Sequence, residues 1–286
     1  MGTRLVRLLL ARGEAVRVLD MDRDGVRVRM ESMGVEFRSI DIAKPDGLTE
    51  ALEGASAVVH LAALLLAHGQ DTKLDLVNRE GTRNLLDASR SAGVRRFVHI
   101  SSISVCYRRQ NPYSISKQES EVLVRSSGLD WTILRPTLAW GDPAAAEYGK
   151  FHSIAWKWPI LPLPDGGRAL KTPVHVDDLA HAFVACLDEP RSIGRILALA
   201  GPRQVALGEM AREIRRACGT RGLTLPIPVF LAETFARRIA PLCRRIGIPP
   251  LLDWQTLTGL VEDACPSSKE ASDLLGWSPR PWEAQS

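Results

Sequence analysis

The sequence predicts an α/β fold built on a doubly wound, mostly parallel β-sheet. One observation carries that expectation, the alternation of short apolar runs with segments of helical spacing; beside it stand two that bear on chemistry, Tyr113 and Lys117 four residues apart, and Ser101-Ser102 closing an apolar strand eleven positions before that tyrosine. Alternation of this kind gives a parallel sheet covered by helices on both faces.

From Thr3 to Leu10 the apolar residues fall at helical intervals, and Ala15 to Leu19 reads as a short buried strand ending at Asp20. A polar helix near Asp24 to Met33 follows, then a strand at Val35 to Ile40, a helix at Leu48 to Leu52 and a strand at Ala57 to His60. The pattern repeats as a helix at Leu74 to Ser91, a strand at Phe97 to Ile100, a helix at Tyr113 to Arg125 and a strand at Trp131 to Leu134. After Arg135-Pro136 the rhythm loosens. Pro143, Pro159, Pro162 and Pro164 punctuate a stretch over 141–170 that is expected to be irregular and to cap a substrate site. A strand at Val174 to Val176, a helix at Asp178 to Leu187 and a last sheet strand at Ile196 to Ala200 come next. Beyond Gly201-Pro202 the pattern is helical, so the expected organisation is an α/β domain over 1–205 and a small, mostly helical substrate domain over 206–286.

Composition narrows the function classes. A hydrophobic fraction of 45% with 24% charged residues is ordinary for a soluble globular chain. The net charge of +4 comes from scattered arginines with no basic block interleaved with aromatics, which argues against nucleic acid. Five cysteines, odd in number and without a CxxC or Cys/His ligand pattern, read as reduced thiols in a cytoplasm and give no metal site. The longest apolar run, Ala57 to Ala67, is too short to span a bilayer and contains His60, and no charged-then-apolar signal segment is present.

Residues i and i+4 share a helix face, so Lys117 is expected to pull the Tyr113 phenol from about 10 toward neutrality. A phenol tuned that way exchanges protons near neutral pH, which points to acid/base work in a redox reaction.

These landmarks have companions in a fixed order: Val58-Val59-His60-Leu61-Ala62-Ala63, Val77-Asn78-Arg79-Glu80-Gly81-Thr82-Arg83-Asn84-Leu85-Leu86 and Arg96-Phe97-Val98-His99-Ile100-Ser101-Ser102. Tyr113 to Lys117, Thr132-Ile133-Leu134-Arg135-Pro136, Val174-His175-Val176-Asp177-Asp178 and Leu275-Gly276-Trp277-Ser278-Pro279 complete the series. Over nearly the whole chain this order resembles the extended short-chain dehydrogenase/reductase superfamily, in particular its NAD-dependent epimerase/dehydratase branch and the related atypical members.

The resemblance implies a Rossmann-like sheet and assigns roles by position. Tyr113 is the general acid/base, Lys117 holds the nicotinamide ribose and lowers the tyrosine pKa, and Ser102 hydrogen-bonds the reacting oxygen, with Ser101 and Ser104 as alternatives. Asp20, about 20 residues beyond the expected glycine turn, suits the ribose hydroxyls of NAD, while nearby Arg23 suits the 2′-phosphate of NADP. Asp41 and Ile42 border the adenine, although Asp41 equally suits a helix cap. Leu61, Ala62 and Ala63 let the backbone approach the dinucleotide, Asn78 braces the sheet or bonds backbone groups, and Pro136 joins the cofactor contacts. His60 reads as a packed strand residue.

The family opens on a hydrophobic strand and a TGxxGxxG turn that cradles the pyrophosphate. Here only the last glycine remains, as Gly2, so the sheet is expected to lack its first strand. Two explanations stand: a start within the motif, or a short form that has lost dinucleotide binding. The persistence of Asp20, Asp41, Tyr113 and Lys117 favours the first.

Residues Ile227 to Ile246 carry Leu231, Phe235, Ile239, Leu242 and Ile246 at helical intervals beside Arg237-Arg238 and Arg244-Arg245. An apolar substrate lid is expected, with membrane-surface docking as the alternative. With Trp156 and Trp158 ahead of it, the lid favours a hydrophobic alcohol or ketone, sterol-like or isoprenoid. The leading expectation is an NAD(P)-dependent oxidoreductase or epimerase/dehydratase. The alternative is a non-catalytic dinucleotide-binding scaffold, assembly or sensing subunit. Relatives dimerise through the helices matching Leu74 to Ser91 and Tyr113 to Arg125, a homodimer that this sequence leaves undetermined.

Overall fold

The computed structural model describes residues 1–23, 25–65, 71–141, 146–247 and 252–284. Asp24, Pro143 and the end of the apolar run at 66–67 lie outside them. In chain order the first half comprises α1 (Gly2–Ala11), β1 (Arg17–Asp20), α2 (Val26–Glu31), β2 (Glu36–Ser39), α3 (Leu48–Leu52) and β3 (Ala57–His60). Then come α4 (Asp71–Leu74), a π-helical turn (Asp75–Glu80), α5 (Gly81–Ser91), β4 (Arg96–Ile100), a 3-10 turn (Ile103–Cys106), α6 (Pro112–Arg125) and β5 (Asp130–Pro136). The second half comprises β6 (Ala139–Trp140), α7 (Ala146–Lys157), β7 (Ile160–Pro164), β8 (Leu170–Lys171), β9 (Val174–His175), α8 (Val176–Asp188) and β10 (Arg195–Leu199). It closes with β11 (Val205–Ala206), α9 (Leu207–Ala217), β12 (Leu223–Ile227), α10 (Val229–Thr234), α11 (Ala240–Arg245), α12 (Trp254–Val261) and α13 (Lys269–Leu275).

Four strands form a parallel sheet in the order β10-β5-β4-β3. Their side chains are apolar on both faces, as a sheet covered by helices requires: Phe97, Val98, Ile133, Leu134, Leu197 and Leu199 are all fully buried. β1 and β2 pair with each other, also parallel, but form a separate two-stranded ladder with no hydrogen bond to β3. Helix α1 joins the two pieces by packing. Leu5 enters the core of β4, β5, β10 and α8, whereas Val6 and Leu10 enter the cluster of Met30, Val35 and Phe37 around β1 and β2. The central strand expected between β1 and β3 has no counterpart among the described residues.

Three expectations are corrected. The stretch over 141–170, read as irregular, holds the twelve-residue helix α7 and the strand β7. Beyond Gly201-Pro202 the chain is not all helical: β12 pairs in parallel with β7, setting Leu225 opposite Pro162 and Pro226 opposite Leu163. Val176, expected in a strand, begins α8 instead, with His175 as its N-cap. Just after β6, whose Trp140 pairs with His175, Gly141 adopts φ +92, and a Cβ there would lie 2.2 Å from His175 Nε2, so only glycine fits.

The C-terminal tail is tied to α8 by one carboxylate. Asp178 accepts from the Arg280 backbone N–H at 2.9 Å and from the Arg280 guanidinium at 2.8 Å, and its carbonyl accepts from Trp277 Nε1 at 2.7 Å. Asp178 is buried while half of the Arg280 side chain meets water, which limits the pair's worth. Asp178→Ala is expected to lower the unfolding free energy by about 2 kcal/mol, chiefly through orphaned donors. Urea melts of the two proteins measure it, and an unchanged midpoint contradicts the assignment.

Candidate active site

The C-terminal ends of β3, β4 and β5 converge where α6 begins, at the crevice where open α/β sheets bind ligands. Leaving β4, Ser101 and Ser102 diverge. Ser101 is buried and its hydroxyl donates at 2.5 Å to Glu121, which Arg135 holds from the other side at 2.6 Å. That commitment leaves Ser102, the N-cap of the 3-10 turn, to face Tyr113, close enough for its hydroxyl to favour the phenolate. Ser104 donates to Ser102 Oγ at 2.9 Å, so it supports Ser102 rather than replacing it.

Tyr113 owes its position to the start of α6. Asn111 accepts from the Ser114 N–H at 2.9 Å, the Ser114 hydroxyl accepts from the Asn111 N–H at 2.9 Å, and Pro112 fills the first helical position. This capping box fixes the first turn, in which Tyr113 is the second residue. The Asn111 amide also donates to Thr258 Oγ1 at 2.6 Å, tying the turn to α12.

Lys117, one turn later, is almost wholly buried. Its ammonium donates to the Ile100 carbonyl at 2.7 Å and lies 3.4 Å from His99 Nε2. Burial pulls its pKa down to about 7 against the opposing charge of Glu121. Burial, and then Lys117, also hold His60 down at about 3, and His60 contacts Thr82 Oγ1 at 2.9 Å as a packed strand residue.

The expected lowering of Tyr113 by Lys117 is not what the structure shows. Burial raises the phenol above its ordinary value, Glu147 raises it further, and only the Ser102 hydrogen bond draws it down. The physical reason is direction: the long lysine side chain turns toward the Ile100 carbonyl, so its charge is spent on the strand and not on the phenol.

The remaining predicted contacts line the same side of the sheet in two groups. Asp20 ends β1 exposed, its carboxylate accepting from the Met21 N–H at 2.7 Å, and Arg23 is exposed three residues on. Asp41 accepts from the Ala43 N–H at 3.1 Å in a turn, while Ile42 is buried against Leu48, Val58 and Leu85. Leu61 is half-buried and Ala62 and Ala63 are exposed beyond β3. Asn78 is buried, exchanges hydrogen bonds with both backbone groups of Leu64 and donates to Ser116 Oγ at 2.9 Å, so it braces the loop after β3 against α6. Pro136 is buried at the end of β5. Gly2 is exposed at the start of α1, and a Cβ there would meet nothing within 4 Å.

Sequence reasoning missed the groups opposite Tyr113. Lys171 on β8 is buried, donates to the Glu262 carbonyl at 2.5 Å and lies 5.5 Å from the Tyr107 ring centroid. Burial pulls its ammonium down to about 8 while Glu147 opposes. Tyr107, Glu147 and Lys171 come from three separate segments, and no spacing in the sequence announces their meeting.

A nicotinamide dinucleotide fits these residues at its two ends. The exposed Asp20 carboxylate matches a ribose diol, small exposed Ala62 and Ala63 leave the backbone open, and Tyr113 and Lys117 stand where the nicotinamide half would lie. For the pyrophosphate only Gly2 and the first turn of α1 are at hand among the described residues.

Lys117 gives stability a pH dependence of definite sign. Its pKa is about 7 folded and near 10.5 unfolded, so between those values the unfolded chain binds more protons and stability rises with pH. Below about 7 the ammonium is charged in both states and the full cost of burying it is felt. Lys117→Met removes that cost, so its melting temperature should exceed that of the parent by several degrees near pH 7 and by progressively less toward pH 10. A difference independent of pH contradicts the buried ammonium.

Residues 1–190 match the family model described as NAD(P)H-binding. The chain is 28% identical over 306 residues to the UDP-glucose 4-epimerase of Vibrio cholerae, covering 97% of this chain and 87% of that protein. It is 30% identical over 190 residues to the ceramide reductase of Caulobacter vibrioides, covering 66% of this chain and 58% of that one. Among solved structures, the Thermotoga maritima UDP-glucose 4-epimerase with UDP-glucose superposes with a TM-score of 0.75 at 19% identity, covering 97% of this chain and 90% of the other, which shows the shared fold. With the Ser-Tyr-Lys cluster on a Rossmann-like sheet, these matches establish that the chain belongs to the NAD(P)H-binding family of extended short-chain dehydrogenases/reductases, whose cofactor is NAD(P).

Proposed function

We propose that the chain is an NAD-dependent oxidoreductase or epimerase acting on an alcohol or ketone of a small apolar substrate, sterol-like or isoprenoid in character, through Tyr113, Lys117 and Ser102. The observation that supports this most is the meeting of Ser102 and Tyr113 one helical turn from the buried Lys117 ammonium. The bound dinucleotide supplies a hydride acceptor or donor at its nicotinamide ring. Tyr113 Oη takes the alcohol proton as a carbonyl forms, or returns it as the carbonyl is reduced. Ser102 Oγ donates to the same oxygen and keeps it within reach of the phenol.

A phenol raised by burial stays protonated at neutral pH, which suits it to donate a proton to a ketone. To act as a base it needs positive charge nearby. Lys117, poised near neutrality one helical turn away, is the group to provide it once its ammonium exchanges the Ile100 carbonyl for a ribose hydroxyl. Asp20 favours NAD over NADP, because its carboxylate accepts from two ribose hydroxyls and repels a 2′-phosphate. The ceramide reductase relative supports a lipid-like alcohol or ketone, whereas the UDP-glucose 4-epimerase relative supports a sugar nucleotide. The eleven-residue step from Ser102 to Tyr113, shorter than is usual in sugar-nucleotide epimerases, weakens the latter.

Tyr113→Phe tests the chemistry. Turnover is expected to fall roughly 10²–10⁴-fold while NADH affinity, read by cofactor fluorescence, stays within about twofold. A variant that matches the parent in every assay supports the dinucleotide-binding scaffold instead. Competitive inhibition by a UDP-sugar and not by sterol alcohols overturns the apolar substrate.

A further inference from the structure

The segment expected to form an apolar lid is packed inside out. Along α10, the π-helical turn Phe235–Ile239 and α11, the residues turned inward are Ala232, Ala236 and Ala240 at four-residue intervals, with Ala232 and Ala236 packed against Leu257 of α12. The bulky side chains point the other way. Phe230 is 66% exposed, Leu242 59% and Ile246 67%, and Leu231 and Ile239 join them, whereas Val229 and Phe235 are half-buried. The strand leading into α10 does the same, with Leu223 73% exposed and Leu225 beside it, and its partner β7 adds exposed Ile160. Trp156 and Trp158 are also partly exposed where α7 runs into β7. Scattered apolar residues on a surface need no explanation, but a contiguous set of this size does.

The charge around this set has one sign. Between residues 221 and 247 the sequence holds five arginines, Arg221, Arg237, Arg238, Arg244 and Arg245, against the single acid Glu233, a formal +4 that equals the net charge of the whole chain. Glu233 is occupied by Arg109 at 2.9 Å, and Arg221, Arg237, Arg238 and Arg245 are exposed. The side chain of Arg244 lies outside the described residues. Arg237 stacks on Trp254 at 3.7 Å from the ring centroid, which steadies the helix while its guanidinium still faces outward.

We propose that the face formed by β12, α10 and α11 docks on an anionic lipid surface. Bulky apolar side chains among outward arginines are the pattern of a helix that lies in the interface plane, its apolar groups below the headgroups and its cations among them. A second copy of the chain fits the apolar part but not the charge, because a two-fold contact would set arginines against arginines. Among the described residues no helix is long and apolar enough to cross a membrane, so the contact is peripheral. The inference is independent of the proposed reaction, since lipid binding is read without turnover.

Co-sedimentation of the full chain with phosphatidylcholine vesicles, with and without phosphatidylserine, tests it. The parent should pellet with the phosphatidylserine vesicles, release as salt is raised and stay in solution with phosphatidylcholine alone. Arg238→Glu with Arg245→Glu should weaken the partition about tenfold or more, and Leu242→Glu with Ile246→Glu should abolish it. All four positions are exposed, so melting temperatures should stay within a few degrees of the parent, and either pair alone suffices if the other fails to fold. No sedimentation above the lipid-free control overturns the proposal, as does sedimentation that both pairs leave unchanged. A parent that is dimeric in analytical ultracentrifugation and becomes monomeric in Leu242→Glu with Ile246→Glu assigns the face to a second copy and overturns it equally.

Discussion

The first turn of α6 is the constraint on which the site depends. Asn111 and Ser114 exchange backbone hydrogen bonds, Pro112 presets the first helical residue, and the Asn111 amide reaches Thr258. Between the strand that delivers Ser102 and the helix that carries Tyr113 and Lys117 there are only eleven residues, and α12 supports them at several points. Trp254 Nε1 donates to the Gln110 carbonyl at 2.9 Å, and the Glu262 carboxylate accepts from the Arg108 and Arg109 N–H groups and from the Arg109 guanidinium. The hydroxyl pair is therefore held between a parallel sheet on one side and a C-terminal helix on the other.

Burial then divides the labour between the two ionisable groups. Lys117 is buried with its charge on a strand carbonyl, and Tyr113, one turn earlier on the same helix, keeps its proton. Low dielectric disfavours the charged form of each, so the lysine is pushed down to about neutral pH while the phenol is pushed up, away from it. Acid/base work at neutral pH then requires that the two be brought into electrical contact, and the ribose between them is the natural connector.

Much of the fold was legible because its elements are locally bounded. α3 and β3 begin and end where the apolar pattern placed them, at Leu48–Leu52 and Ala57–His60, with Gly47 and Gly54 as punctuation. α7 was not, because its sequence carries Gly149 and a mixed polar pattern, and packing of Tyr148 and Ala155 against α9 residues settles its state. β7 and β12 escaped for another reason: Pro162, Pro164 and Pro226 speak against strands, yet both are two-stranded edges that tolerate proline. At the site, Tyr113, Lys117 and Ser102 were readable from spacing. The direction in which the lysine side chain turns, and the approach of Glu147, Tyr107 and Lys171, are tertiary facts that no local pattern encodes. The apolar segment over 227–246 was recognised, but its inward alanines, which reverse its face, were decided by the close packing of α12.

The central claim is that Tyr113 is a poor base in the empty site and becomes a competent one only when the dinucleotide couples it to Lys117. Carbon-13 NMR titration of the tyrosine ring carbons reads this directly, and with three tyrosines in the chain the Tyr113 signal is assigned by its loss in Tyr113→Phe. The account predicts a Tyr113 pKa above the ordinary phenol value without cofactor, a clear fall on saturation with NAD, and no such fall in Lys117→Met. A Tyr113 pKa already near neutrality in the empty site, or one that NAD leaves unmoved, contradicts it.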